Sequence, residues 1–194
     1  MTVVPAEALA FHLGIVVHDL DASARRYEEI FGAMRWNRFE LPLAALPTNP
    51  ETRDAQVLAA YGRAAGMTFE LIQVLSGETV HSLFLKRRGE GIQHIGLWVP
   101  DVQAAAVRAV EAGARITAAI LTREGEATVQ LSASSGQAEL AATVFPGGFA
   151  YADAGLNGVE LEFVGPAAHA NLRRRFAAEF ENLVVSPAWL GPEG

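Results

Sequence analysis

The chain has 194 residues, 51% of them apolar, and 22 Asp and Glu against 15 Lys and Arg give a formal charge of −7. That balance suits a globular domain and argues against a nucleic-acid binder, which carries a basic stripe. Cysteine is absent, which excludes disulfides, thiolate metal sites and thiol nucleophiles and leaves nitrogen and oxygen as the only metal ligands.

The first residues, MTVVPAEALA, lack the charged start and apolar run of a signal peptide. No apolar stretch is long enough to span a bilayer. The expectation is a soluble, cytoplasmic protein that acts on a small molecule, with neither nucleic acid nor membrane as partner. The basic runs Lys86-Arg87-Arg88 and Arg173-Arg174-Arg175 read as solvated faces or helix ends.

His12 to Val17 is apolar and β-branched, as a buried strand should be. Asp19 or Asp21 can cap a helix whose face is Leu20, Ala24, Tyr27 and Phe31, with Gly32 as its stop. Strands follow at roughly 33–39, 55–62 and 67–75, with a Pro- and Asn-rich loop from Pro42 to Thr52 between the first two. A short helix near 79–87 then leads through Gly89-Glu90-Gly91 into a second copy of the opening.

Residues 12–31 and 94–113 align without a gap. His12 falls on His94, Gly14 on Gly96, Asp19 on Asp101 and Glu29 on Glu111. The second helix presents Val102, Ala106 and Val110 and stops at Gly113. Strands are expected at 115–121, 127–132, 138–145, 148–153 and 158–164, with an extra hairpin around Ser134-Ser135-Gly136. A closing helix is expected over 167–180. The architecture is therefore α+β, two βαβββ modules forming a curved mixed sheet that encloses a metal site. The modules span 8–90 and 91–166, with a C-terminal helix and tail over 167–194. A homodimer is the expected assembly, with the modules closing within one chain or across a swapped pair.

Side chains alternate across a strand, so each histidine shares a face with the glycine two residues on, leaving room for a ligand or metal. The last strand of each half places a carboxylate in an apolar run: Glu70 in FELI and Glu162 in LEFV. A buried carboxylate must be paired, neutralised or metal-bound. Two imidazoles and two carboxylates suit one divalent ion, Zn²⁺, Ni²⁺, Co²⁺, Mn²⁺ or Fe²⁺. Glu160 shares a face with Glu162, and parity does not choose between them. His18 lies too far along its strand, His81 reads as surface at the pocket border, and His169 reads as solvated. Trp98, Phe149 and Tyr151 are candidates for an apolar pocket or for the core.

The segment 69–102, FELIQVLSGETVHSLFLKRRGEGIQHIGLWVPDV, and the strand GVELEFVGP at 158–166 resemble the vicinal oxygen chelate superfamily. That superfamily includes glyoxalase I, methylmalonyl-CoA epimerase, extradiol dioxygenases and bleomycin-resistance proteins. The similarity covers about 10–166 and is nearest in pattern to the epimerase-like and glyoxalase-like members. It implies a metal held by His12, Glu70, His94 and Glu162, and so prefers Glu162 to Glu160. It also implies Glu162 or Glu70 as the catalytic base, with Asp54 near the position of a further general base. Gln93-His94 stands where the epimerases have two adjacent histidines, and the stretch 121–157 departs from them.

The function this resemblance implies is a metal-dependent isomerase, epimerase or lyase. Its substrate would be an α-oxygenated carbonyl or acyl-thioester, with the metal stabilising an enolate. The alternatives are a non-haem Fe²⁺ ring-cleaving dioxygenase and a non-catalytic protein that sequesters an antibiotic or other small molecule.

Overall fold

The computed structural model describes residues 2–44, 54–123, 126–131 and 136–190. The chain opens with β1 (Leu9–Val17) and α1 (Leu20–Phe31), then β2 (Asn37–Ala44), β3 (Asp54–Ala64) and β4 (Met67–Ser76). A connecting helix, α2 (Val80–Arg88), leads to β5 (Gly91–Trp98) and α3 (Val102–Glu111). Next come β6 (Arg115–Arg123), β7 (Glu126–Leu131), α4 (Gln137–Ala142), β8 (Phe149–Leu156) and β9 (Val159–Val164). Two further helices, α5 (Pro166–Phe176) and α6 (Phe180–Leu183), follow.

The repeat is visible in the caps. Asp19 accepts from the Ala22 amide and Asp101 from the Ala104 amide, each at 2.9 Å. Each cap satisfies a backbone donor left open at a helix start. The two helices therefore leave their strands at equivalent points.

The nine strands form one sheet in the order β2-β3-β4-β1-β5-β9-β8-β6-β7. Its central seam is the antiparallel pair β1 and β5. Each is flanked by a parallel strand from its own half, β4 beside β1 and β9 beside β5. Hairpin partners come next, β3 against β4 and β8 against β9. The outer strands β2 and β7 approach each other, so the sheet curls around a cavity.

Helices cover the convex side. Leu20 and Ala24 of α1 pack on Ile15, Val17, Phe69 and Leu71. Val102, Ala105, Ala106 and Ala109 of α3 pack on Ile116, Leu121 and Phe163. A third cluster joins the C-terminal segment to the sheet: Phe176, Phe180, Leu183 and Val184 meet Phe11, Phe39 and Trp98.

Three expectations change. The strand expected over 138–145 is the helix α4, because Gln-Ala-Glu-Leu-Ala-Ala is built of strong helix formers. Ser134 and Ser135 of the expected hairpin lie outside the described residues, and Gly136 precedes α4 in the left-handed region (φ 75°). β2 runs through Pro42 to Ala44, and the edge position tolerates the missing proline donor. Most of the expected Pro42–Thr52 loop, from residue 45 on, lies outside the described residues. Finally, His169 is buried, its ring centroid 4.9 Å from those of both Trp98 and Phe180, and its Nε2 lies 3.0 Å from Ser186 Oγ. The helix α5 folds it back onto the sheet.

Candidate metal centre

The seam between β1 and β5 carries both histidines. His12 stands opposite Gly96, and His94 opposite Gly14. The register skips Phe11 on one strand and Gln93 on the other. These are the residues before each histidine, so the repeat contains a matched pair of bulges. A bulge turns two successive side chains toward the same side. Phe11 and His12 accordingly both line the cavity, and Gln93 reaches the ring of His94.

The glycines serve the histidines. A Cβ on Gly14 would lie 1.9 Å from His94 Cε1, and one on Gly96 would lie 2.2 Å from His12 Cε1. Each imidazole therefore lies flat across the glycine of the other copy. The space expected for a ligand is filled by a ring.

The parallel partners bring the carboxylates alongside. Glu70 is level with Gly14 and Glu162 with Gly96. His12 Nε2 lies 2.9 Å from His94 Nε2, 3.0 Å from Glu70 Oε2 and 3.2 Å from Glu162 Oε2. His94 Nε2 lies 3.3 and 3.4 Å from the same two oxygens. All four residues are buried, and their facing atoms lie within 4.8 Å of one another.

The donor set fits a divalent ion. Ligand atoms about 2.1 Å from one ion lie about 3.0 Å apart at right angles and about 3.4 Å apart at tetrahedral angles. Gln93 sets the state of His94. Its Nε2 donates to Glu160 Oε2 at 3.0 Å, so its Oε1 faces His94 Nδ1 at 2.6 Å. Nδ1 must then carry a proton, so Nε2 is the ring nitrogen left to face Glu70 and Glu162, and it is the atom that would ligate a metal once deprotonated. His12 has no such partner among the described residues: Phe11 stands in the place of Gln93, and no described group hydrogen-bonds the buried His12 Nδ1.

Burial alone would lower the His12 pKa, but the charge of Glu70 and hydrogen bonds to Glu162 and Glu70 raise it to about 9. For Glu70, burial acts upward, and the charge of His12 with hydrogen bonds from both imidazoles holds it well below the usual carboxylate range. A proton or a metal ion must neutralise this cluster, since two buried carboxylates side by side repel.

Two tyrosines complete the pseudo-symmetry. Tyr61 pairs with Glu70 across β3 and β4, and Tyr151 pairs with Glu162 across β8 and β9. Burial first, then the neighbouring glutamates, push both phenols well above 10. They remain protonated, each beside the glutamate of its own half.

His12, Glu70 and Glu162 of the cluster form the floor of a cavity of about 510 Å³ with walls that include Phe39, Val57, Ile72, Ile120 and Phe149, and His94 lies behind them. His81 is not on the surface. It is buried, lines the cavity, and its Nε2 lies 3.5 Å from the Tyr151 hydroxyl. Burial and the neighbouring His94 lower its pKa to about 4.

A family profile described as Glyoxalase/Bleomycin resistance protein/Dioxygenase superfamily matches residues 11–131, well over half of the chain. The chain belongs to this superfamily. No curated protein matches it significantly in sequence. Similar solved structures include methylmalonyl-CoA epimerase from Mycobacterium tuberculosis, 22% identical over 84% of this chain and 91% of that one, with a TM-score of 0.48. A hypothetical protein, BH1468 from Bacillus halodurans C-125, is 20% identical over 80% and 92%, with a TM-score of 0.46. A mutant of 4-hydroxymandelate synthase from Streptomyces coelicolor is 14% identical over 80% of this chain and 47% of that one, at 0.46.

In this superfamily member the structure brings His12, Glu70, His94 and Glu162 together in a group that could hold a metal ion. All four come from one chain. Glu160 stands outside the group, accepting from Gln93 and from Thr117 Oγ1 at 3.1 Å. Asp54 begins β3, and its side chain lies outside the described residues. Trp98 is fully buried in the core, whereas Phe149 and Tyr151 line the cavity. Sequence reasoning missed Tyr61. Counting back from Glu70 through the Ala65-Gly66 turn would have found it, because a tight hairpin sets which residues face each other.

Proposed function

We propose that this protein is a metal-dependent isomerase, epimerase or lyase acting on an α-oxygenated carbonyl or acyl-thioester. The observation that carries the proposal is the convergence of two imidazole nitrogens and two carboxylate oxygens, 2.9 to 3.4 Å between nitrogens and their neighbours, at the floor of an apolar cavity.

His12, Glu70, His94 and Glu162 would hold the ion. Such an ion, when bound, would supply Lewis acidity that stabilises enolate charge on the substrate. The remaining work falls to the chain. Glu162 or Glu70 accepts the proton α to the carbonyl, through a carboxylate oxygen at the cavity floor. Tyr61 and Tyr151, held protonated beside the two carboxylates, are placed to donate to them. Gln93 keeps the His94 lone pair facing inward. Apolar walls exclude water from the carbanion-like centre. Asp54 is the further candidate base.

Purified protein is expected to contain about one metal ion per chain. In D₂O, metal-loaded protein should exchange the α-proton of a methylmalonyl-CoA-like thioester or of a hemithioacetal. Protein that neither retains nor takes up metal would overturn the metal assignment. Oxygen consumption with catechols and no α-proton exchange would favour ring-cleaving dioxygenase chemistry instead.

A further inference from the structure

Among the described residues lining the cavity, the one Lys or Arg side chain comes from α5. α5 lays Leu172, Asn171 and Arg175 along the cavity margin. Asn171 and Arg175 are four residues apart, so they share a helix face.

The three arginines of α5 differ in their partners. Arg173 donates to Glu181 at 2.7 Å. Arg174 donates to the Asn171 side-chain oxygen. Arg175 has no carboxylate partner among the described residues. Its guanidinium instead lies 4.6 Å above the Phe39 ring, and of the three only it lines the cavity. Because Arg174 occupies the Asn171 oxygen, the Asn171 amide N–H groups remain available to donate beside Arg175.

Charge also points there. A divalent ion on the floor would be cancelled by Glu70 and Glu162. Among the described lining residues outside the cluster, Arg175 is the sole Asp, Glu, Lys or Arg. The span is short: His12 to Tyr61, Tyr61 to Phe39 and Phe39 to Arg175 are steps of 5.5, 5.8 and 4.6 Å.

We infer that Arg175, with Asn171, forms an anion subsite, and that the substrate is a compound with an apolar body, chelating oxygens at one end and a carboxylate or similar anion at the other. A guanidinium already stacked on an aromatic ring loses little freedom on binding and offers paired N–H donors to a carboxylate. The subsite rests on the proposed chelating role of the cluster only for which end of the ligand meets the floor.

Calorimetry on the Mn²⁺-loaded full chain tests it with 3,4-dihydroxybenzoate, its phenylacetate and phenylpropionate homologues, and neutral 4-ethylcatechol. The best carboxylate in the series should bind about tenfold or more tightly than 4-ethylcatechol. R175Q should reduce that preference to within about threefold without weakening 4-ethylcatechol, and R175K should restore part of it. Equal affinity for charged and neutral catechols in the unaltered protein overturns the subsite, as does an equal loss of both in R175Q. A second pair, 3-phenylpropionate and 3-phenylpropanol, carries no chelating group. If catechols fail to bind but 3-phenylpropionate keeps an Arg175-dependent preference, the subsite stands and the chelating role falls. Failure of both series overturns the subsite.

Discussion

At the scale of single residues, the site is a set of mutual accommodations. Gly14 and Gly96 exist to admit an imidazole, since a Cβ at either would sit inside the ring. G14A should therefore displace His94 and abolish metal retention, measured by elemental analysis, even where the fold survives. Retention of a full metal equivalent in G14A would contradict this role. Gln93 acts on His94 from behind. Partners of this kind are typically worth about 10- to 100-fold in metal affinity, so Q93L should weaken metal binding by that amount in competition with a chelator, while Q93E should weaken it less. The two charged partners also set a pH dependence. The His12 pKa is raised from 6.5 to about 9, so its contribution to the stability of metal-free protein is whole below 6.5 and lost as pH climbs through 9. The Glu70 pKa is lowered from 4.5, so its contribution is whole above 4.5 and lost in stronger acid. Metal-free protein should thus be most stable between about 4.5 and 6.5, as far as this pair decides. A urea midpoint that rises steadily from pH 6.5 to 9 would refute it.

At the scale of elements, the repeat supplies matching strands, bulges, caps and helices, and the two halves diverge where they meet other parts of the chain. The C-terminal segment is the largest such addition. Phe180 is 1% exposed and packs against His169 and Arg173. F180A should cost about 3 to 5 kcal/mol in urea unfolding and leave the metal content unchanged, because α6 does not reach the cluster. The helices α1 and α3 were legible from apolar spacing and the Asp and Gly residues that bound them. The segment now seen as α4 was not, because Ala-Glu-Leu-Ala-Ala-Thr-Val mixes helix formers with a β-branched end; the helix formers prevail, and the helix packs on α3. β2 was displaced for a related reason: an edge strand has one pairing partner, so its ends are set by β3 rather than by its own residues.

At the scale of the whole molecule, one curled sheet turns two remote copies into a single cavity. The four candidate ligands lie on four strands, β1, β4, β5 and β9, of which only β4 and β5 follow each other along the chain, across α2. The folded state should bind the ion and the unfolded chain should not, so saturating metal at about a thousand times its dissociation constant adds about 4 kcal/mol. For a chain of this size that corresponds to a rise of roughly 10 °C in the thermal midpoint. H12A should lose most of that rise in a thermal scan. An unchanged midpoint with metal in the unaltered protein would mean that the cluster is held by protons alone.

By itself, the sequence showed the repeat, the strand-turn-helix openings and the candidates His12, Glu70 and His94, because those depend on residue type, local spacing and strand parity. It also separated Glu162 from Glu160 only with the help of family resemblance. Tertiary structure decided what lies between strands. The bulges at Phe11 and Gln93, the imidazoles laid over Gly14 and Gly96, and the tyrosines beside the glutamates all arise from register between segments far apart in the chain. So does the burial of His81 and His169, and the turn of Arg175 toward the cavity. Local rules specify which way a side chain leaves its own strand or helix. The neighbour that side chain meets is set by pairing and packing across the whole sheet.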